Sequence, residues 1–124
     1  MSTLQDMETF VLNDPAVAAM IKSFTPITLP QHPVYPAATY FQVDRAHEHT
    51  MEGLETVHPR IQIDCYGQTY ADANKLCKVI DDCFGRWKDT FGDAAFGENR
   101  MDIPEPEMLH FRKKLDVVIW GLES

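Results

Sequence analysis

Cysteine is scarce in this sequence, which holds only Cys65, Cys77 and Cys83 and no Cys-x-x-Cys pair. An odd count without that spacing argues against a disulfide framework and against a zinc knuckle. Cys65 alternates with apolar neighbours, and Cys77 and Cys83 lie near an apolar helical stripe. We therefore expect all three to be small core residues with reduced thiols.

Long apolar runs are also missing. No stretch of about eighteen apolar residues occurs, so the sequence predicts no membrane span. Residues 1–6 lack the basic-then-apolar layout of a secretory signal, and we expect the protein to begin in a cytoplasm. A length of 124 residues predicts one domain, 1–124.

The usual catalytic patterns are absent as well. The six glycines are scattered and form neither a phosphate-cradling Walker A loop nor a dinucleotide fingerprint. No serine lies in a Gly-x-Ser-x-Gly elbow, and an apolar setting raises a thiol pKa instead of activating the cysteine. The sequence therefore predicts a protein that is not an enzyme and that carries no cofactor and no catalytic residue.

Positive charge is in short supply. Eleven Lys and Arg stand against 19 Asp and Glu, which gives a formal net charge of −8 and a pI near 4.9. Such a surface does not hold nucleic acid by its phosphates. It is compatible with facing DNA without gripping it, because like charges repel across a Debye length of about 8 Å. Solubility alone explains the same charge.

The N-terminal third of the chain predicts helix followed by strand. Apolar residues at helical spacing, interrupted by an Asn-Asp-Pro sequence, predict a kinked helix or two short ones over residues 4–23. Four prolines within 26–36 exclude a helix there and favour an extended segment, with Ile27 and Leu29 as candidates for a short edge strand. The alternating residues 37–43 predict a strand.

The best-patterned segment is a strand–turn–helix from Arg60 to Trp87. Alternate residues of 60–66 are apolar, which predicts a strand with one buried face. Thr69 is a candidate helix cap, with Asp72 completing a weak capping box. Apolar residues then recur at steps of three and four, so we expect an amphipathic helix of about four to five turns lying on a sheet. That stripe consists of Tyr70, Ala73, Cys77, Ile80, Phe84 and Trp87.

The remaining segments complete the predicted fold. Residues 44–58 are polar and too many for a tight turn, so we expect a long hairpin arm or a mobile loop. Residues 99–107 predict an edge strand weakened by two prolines. Residues 114–120 predict the last strand, and apolar Val118 and Trp120 on its second face indicate partial cover by a helix or another subunit. This order predicts an α+β fold, an antiparallel β-sheet with two helices packed on one face.

Histidines gather in the 44–58 segment. His47, His49 and His58, with nearby glutamates, are of the residue types that bind zinc or manganese. His47 and His49 share a face only on a strand, and no His-Glu-x-x-His helix is present. A solvated hairpin with incidental histidines is the simpler interpretation, and a small metal- or ligand-binding protein that uses this region is the alternative function.

Three sequence segments, in this order along the chain, match a pattern found in a known protein family. Residues 35–43 read YPAATYFQV, residues 60–66 read RIQIDCY, and residues 69–73 read TYADA. Together with the Asp-Pro-Ala-Val break in the N-terminal helix and a late Leu-Asp-Val strand, they resemble the tail completion proteins of long-tailed phages. Members of that family are also called tail terminators or head–tail joining proteins.

The resemblance implies a structural subunit of a hexameric ring in a phage, prophage or gene-transfer-type particle. Such a ring ends tail-tube growth and joins the tail tube protein to the connector or stopper proteins of the head, while DNA passes through its lumen without specific binding. It also implies a place in the tail or neck of the virion, after assembly in the host cytoplasm. Another neck component, such as a head-closure or adaptor protein, stays open.

Function is then expected around the core, in the arm, at the sheet edges and on the acidic surface. The candidate subunit or partner contacts are His47, His49, Met51, Leu54 and Glu105. For Glu105 the simpler interpretation is a solvated edge, where acid discourages unwanted sheet pairing.

Overall fold

A computed structural model gives the architecture of residues 2–49, 55–92, 95–105, 108, 110–120 and 122–123; at residues 2, 44–49, 55–59, 96, 98–99 and 122–123 it describes the backbone only. The elements in chain order are β1 (Ser2–Thr3), α1 (Leu4–Asn13), α2 (Pro15–Ala18), β2 (Phe24–Pro26), β3 (Ala37–His49), β4 (Glu55–Gly67), α3 (Tyr70–Phe84), α4 (Trp87–Phe91), β5 (Ala95–Ile103), β6 (Phe111–Ile119) and β7 (Leu122–Glu123). None of the helices described here is long and apolar enough to cross a membrane.

The predicted N-terminal helical segment divides into the two short helices α1 and α2. Asp14 separates them with extended backbone, as expected for a residue that precedes a proline. Its carboxylate accepts hydrogen bonds from the backbone N–H groups of the second and third residues of α2, at 2.9 and 3.2 Å. Helix α2 ends at Ala18, short of residue 23, and the Lys22 N–H then pairs with the Pro36 carbonyl at 2.7 Å.

The main sheet has five strands in the order β2-β3-β4-β6-β5. The pairs β3–β4, β4–β6 and β5–β6 are antiparallel, and the short β2 adds parallel to β3. Strands β1 and β7 form a separate two-stranded parallel sheet. The fold is therefore α+β, as predicted, and β2 makes its sheet mixed.

The first edge strand lies earlier than expected, at Phe24–Pro26 and not at Ile27 and Leu29. Ile27 has a φ of 68°, a left-handed conformation that a β-branched residue rarely adopts. The Thr28 N–H donates to the Pro26 carbonyl at 2.8 Å, so the chain turns tightly there and leaves the sheet.

The core lies between the helices and one face of the sheet. Helix α3 packs on β4, β6 and β5, and both α1 and α2 contact α3. Strand register brings Tyr40, Ile63 and Leu115 side by side on the face that α3 covers. The largest fully buried side chains are Trp87, Phe84, Met7, Ile61, Ile63, Leu76, Ile80, Leu115, Ile119, Val11, Val17 and Val117. Residues of α1, α2 and α3 share one core with the sheet, which confirms the predicted packing of helices on one face.

The three cysteines are buried and free. Burial raises the pKa of the Cys83 thiol to about 12. The pKa of Cys65 lies well above its ordinary value, because its thiol is hydrogen-bonded with Cys77 and is fully desolvated. Cys65 on β4 and Cys77 on α3 thus occupy the strand–helix seam, and the prediction of small core residues with reduced thiols is confirmed.

The C-terminal strands begin earlier than predicted. Strand β5 starts at Ala95 and not near 99, and β6 starts at Phe111 and not at 114. Strand β5 contacts α3, and a Cβ added at Gly97 would meet the carboxylate at the flexible end of the Asp81 side chain. A register irregularity between Gly97 and Asn99 makes the strand depart from simple alternation.

Candidate interaction surfaces

The described parts of the 44–58 segment, residues 44–49 and 55–58, are the paired strands of a long β-hairpin, which is the first of the two forms expected for the segment. Strands β3 and β4 stay paired out to His49 opposite Glu55. On the other side of β4, pairing with β6 begins only at Arg60, opposite Val118. Among the described residues, the hairpin beyond Arg60 is therefore a two-stranded ribbon, here called the arm. An isolated ribbon of this kind is marginally stable in water unless something packs against it.

Four of the five predicted contact residues fall in the 44–58 segment. His47 and His49 lie in β3, and the side chains of both are outside the description. Met51 and Leu54 fall in 50–54, outside the described residues. In the part of the chain whose side chains are described, no group of three His, Cys, Asp or Glu is placed to hold a metal ion. The metal hypothesis, which also needs His58, is not tested by that finding.

A second surface is an apolar cleft of about 510 Å³ at the other end of the sheet. Its walls are Tyr70, Asp102, Ile103, Pro104, Glu105, Met108, His110, Phe111 and Arg112. Three of these are large side chains left half exposed: Tyr70 at 49%, Met108 at 54% and Phe111 at 50%. Exposed apolar groups that gather around one concave site mark an interaction surface, unlike single exposed ones.

The apolar mouth of the cleft is held in place by polar contacts. Tyr70 and Phe111 meet edge to face, with ring centroids 6.4 Å apart. The Tyr70 hydroxyl donates to the Asp102 carboxylate at 2.9 Å, and Lys113 approaches the same carboxylate at 3.4 Å. Lys113 also donates to Asn74 of α3 at 2.8 Å. Side chains from α3, β5 and β6 thus fix one wall of the cleft.

Glu105, the fifth predicted contact, is tied inward at the other wall. Arg112 Nη1 donates to Glu105 Oε1 at 2.7 Å, and His110 Nε2 lies 3.0 Å from Oε2. The hydrogen bond from Arg112 holds the pKa of Glu105 below its ordinary value, with His110 adding to the effect against partial burial. Glu105 is therefore neither a solvated edge residue nor free to reach outward. Whether it contributes to a subunit contact stays a prediction.

The same network continues onto the face of the sheet that faces away from α3. Arg112 Nη2 donates to the buried Asp64 at 3.0 Å, and its guanidinium lies 5.8 Å from the Tyr66 ring centroid. The Tyr35 hydroxyl is 3.1 Å from His110 Nδ1. Two loops are therefore anchored on this face near Arg112, at the opposite end of β6 from Val118 and Trp120. Val118 is 6% exposed and Trp120 is 39% exposed.

The cleft was missed from the sequence, and Tyr70 was wrongly placed. The helical stripe assigns Tyr70 to the core, but the residue is the first of α3 and extends past the sheet. Its partners at the cleft come from 102–112, more than thirty residues away in sequence. The only sequence signal is a high apolar content around two prolines, which does not reveal a concave surface.

Taken together, fold and surfaces define an α+β protein whose described side chains form an apolar cleft, bordered by ion pairs, and no catalytic group. A family model described as tail completion protein gp17 matches residues 5–118, so the chain belongs to that family. It is a structural phage tail protein, associated with the virion, and not an enzyme.

One solved structure supports the fold independently. A chain of the virion of a native gene transfer agent particle superposes with a TM-score of 0.63 at 11% identity, covering 93% of this chain and 92% of that one. At this identity the likeness concerns the fold alone. The comparison with curated proteins finds no match.

Proposed function

We propose that this chain is the subunit of a hexameric ring that ends tail-tube growth and joins the tail to the head connector. The observation that carries the proposal is the tail completion match, which spans nearly the whole chain, from residue 5 to residue 118. A ring of identical subunits needs two different surfaces on each copy, since each interface is heterologous. The arm and the cleft are two such surfaces.

Charge is consistent with a lumen that DNA traverses. Each copy adds a formal charge of −8 to the ring. Phosphates are repelled by such an assembly at short range and are not held by lysine or arginine clusters. The proposal therefore includes passage of DNA without specific binding.

The proposed partners are further copies of this chain, the tail tube protein, and the connector or stopper proteins of the head. The arm residues His47, His49, Met51 and Leu54 are proposed to contact one of these partners. Glu105 is proposed to act indirectly, by holding the cleft wall through Arg112 and His110.

Two measurements test the ring function. Mass photometry and negative-stain microscopy of the purified chain, alone and with tail tube protein, should show closed rings. Removal of the gene from its particle system should give heads without attached tails and tubes of uncontrolled length. Stable monomers under all conditions, together with normal particles after gene removal, would refute the proposal. Unjoined heads with tubes of normal length would instead indicate another neck component.

A further inference from the structure

The arm and the cleft lie at opposite ends of the same strand. Strand β4 pairs with β6 from Arg60 opposite Val118 to Gly67 opposite Phe111. The arm continues beyond Arg60, and Phe111 forms part of the cleft. Seven residue steps at about 3.3 Å each separate these two points by roughly 23 Å. A projecting element at one end and a concave one at the other is the arrangement that head-to-tail association requires.

Each surface is incomplete by itself. Within the described chain no third strand is hydrogen-bonded to the arm, although β7 contacts β4, so the arm gains stability when something packs against it. The cleft exposes about half of Tyr70, Met108 and Phe111, which favours burial by an apolar partner. If the arm of one copy binds in the cleft of another, a single contact packs against the arm and buries the exposed apolar side chains of the cleft.

We propose that the arm of each copy inserts into the Tyr70–Phe111 cleft of the next copy in the ring. This inference rests on the proposed ring function, which requires a heterologous contact. In sequence, residues 50–54 between the two strands of the arm include Met51 and Leu54, and apolar side chains of this kind suit an apolar cleft of about 510 Å³. A second copy therefore supplies the apolar side chains that would fill the cleft.

Glu105 is a positioning residue in this contact. Its carboxylate joins Arg112 and His110, which line the cleft beside it, so it keeps the cleft wall in place. Loss of this carboxylate should weaken the association of copies while the arm itself is unchanged. Glu105→Gln is therefore expected to raise the concentration at which rings form, and Leu54→Ser added to it should produce less than the sum of the two effects.

Site-directed cross-linking tests the contact directly. A Leu54→Cys copy and a Met108→Cys copy, carrying different affinity tags, are co-expressed, and rings holding both are treated with a short bismaleimide. The native cysteines are buried, so the unsubstituted chain is the background control. A copy with Lys75→Cys, on the exposed side of α3, replaces Met108→Cys as the matched control. Melting temperatures establish that each variant folds.

A covalent pair of chains formed by Leu54→Cys with Met108→Cys, and not with Lys75→Cys, is the expected result. Rings that form normally but give no such pair, or equal pairing with the control, overturn the arm–cleft contact and leave the ring function standing. A product formed only between Met108→Cys and added tail tube protein also overturns it, because the cleft then receives a different protein. Absence of rings from the unsubstituted chain overturns the contact and the ring function together.

Discussion

The two faces of strand β4 are stabilised in different ways. Toward α3, Ile61, Ile63 and Cys65 are fully buried among apolar neighbours. On the other face, Asp64 is buried and pairs with Arg112. The apolar face makes the fold stable, whereas the polar face determines where loops and the cleft are held. Substitutions on the two faces should therefore separate global stability from the geometry of the interaction surface.

The largest loss of stability is expected on the apolar face. Ile63→Ala removes a fully buried side chain and should lower the free energy of unfolding by about 2–5 kcal/mol. Urea denaturation followed by circular dichroism measures the loss. Ile63→Val provides the graded control, with an expected loss of about 0.5–1.5 kcal/mol. Equal losses of stability for the two variants would mean that β4 and α3 are not tightly packed against each other.

A smaller loss is expected when the polar face loses its buried carboxylate. Asp64→Ala leaves Arg112 with Glu105 as its remaining anionic partner. Breaking a buried ion pair costs about 3–5 kcal/mol, and the remaining pair together with the partly exposed guanidinium reduces this to roughly 2–3 kcal/mol. The matched control is Asp82→Ala, whose exposed pair with Lys78 should change stability by less than about 0.5 kcal/mol. Similar losses of stability for Asp64→Ala and Asp82→Ala would show that the buried carboxylate stabilises the fold no more than the exposed one.

The pH dependence of stability gives a more specific test of Glu105. Its pKa is lower in the folded protein than the ordinary 4.5, so the unfolded chain binds more protons on acidification. The stabilising contribution is then complete above about pH 4.5 and is lost as pH falls through the folded pKa. The stability difference between the native chain and Glu105→Gln should shrink over that range in denaturation curves measured between pH 7 and pH 3. A difference that does not change with pH would contradict the ion-paired state of this carboxylate.

The smallest effect on stability is expected at the cleft itself. Met108→Ser changes a side chain that is half exposed, and the free energy of unfolding should stay within about 0.5 kcal/mol of the native value. Ring formation, measured by mass photometry over a dilution series, should nevertheless weaken at least several-fold. The exposed substitution Lys75→Ser is the control and should leave both quantities unchanged. If Met108→Ser lowered the free energy of unfolding and left ring formation unchanged, Met108 would be shown to stabilise the fold and not the contact between copies.

Prediction from the sequence succeeded where the spacing of apolar residues along one segment decides its secondary structure. Alternation in 60–66 predicted β4, and steps of three and four predicted α3 with Thr69 as its cap. The Thr69 hydroxyl accepts from the Asp72 N–H at 3.1 Å, as the capping pattern required. Helix α3 ends at Phe84, however, and Trp87 opens the separate helix α4.

Prediction failed where distant segments decide the outcome. Strand β5 starts at Ala95 because it pairs there with Ile119 of β6, and no local pattern reveals this pairing or the register irregularity between Gly97 and Asn99. The inward role of Glu105 depends on Arg112 and His110, which reach it only because the chain folds back after β5. Local sequence reads such a glutamate as a solvated edge residue.

The sequence by itself determined the α+β class, the strand–helix core and the family, because these depend on residue periodicity and on the order of short packing patterns. Only the tertiary structure decided that Tyr70 and Phe111 meet around an open cleft and that the arm projects from the opposite end of β4. The physical reason is that strand register and loop return bring together side chains that are far apart in sequence, and burial is a property of that assembled surface.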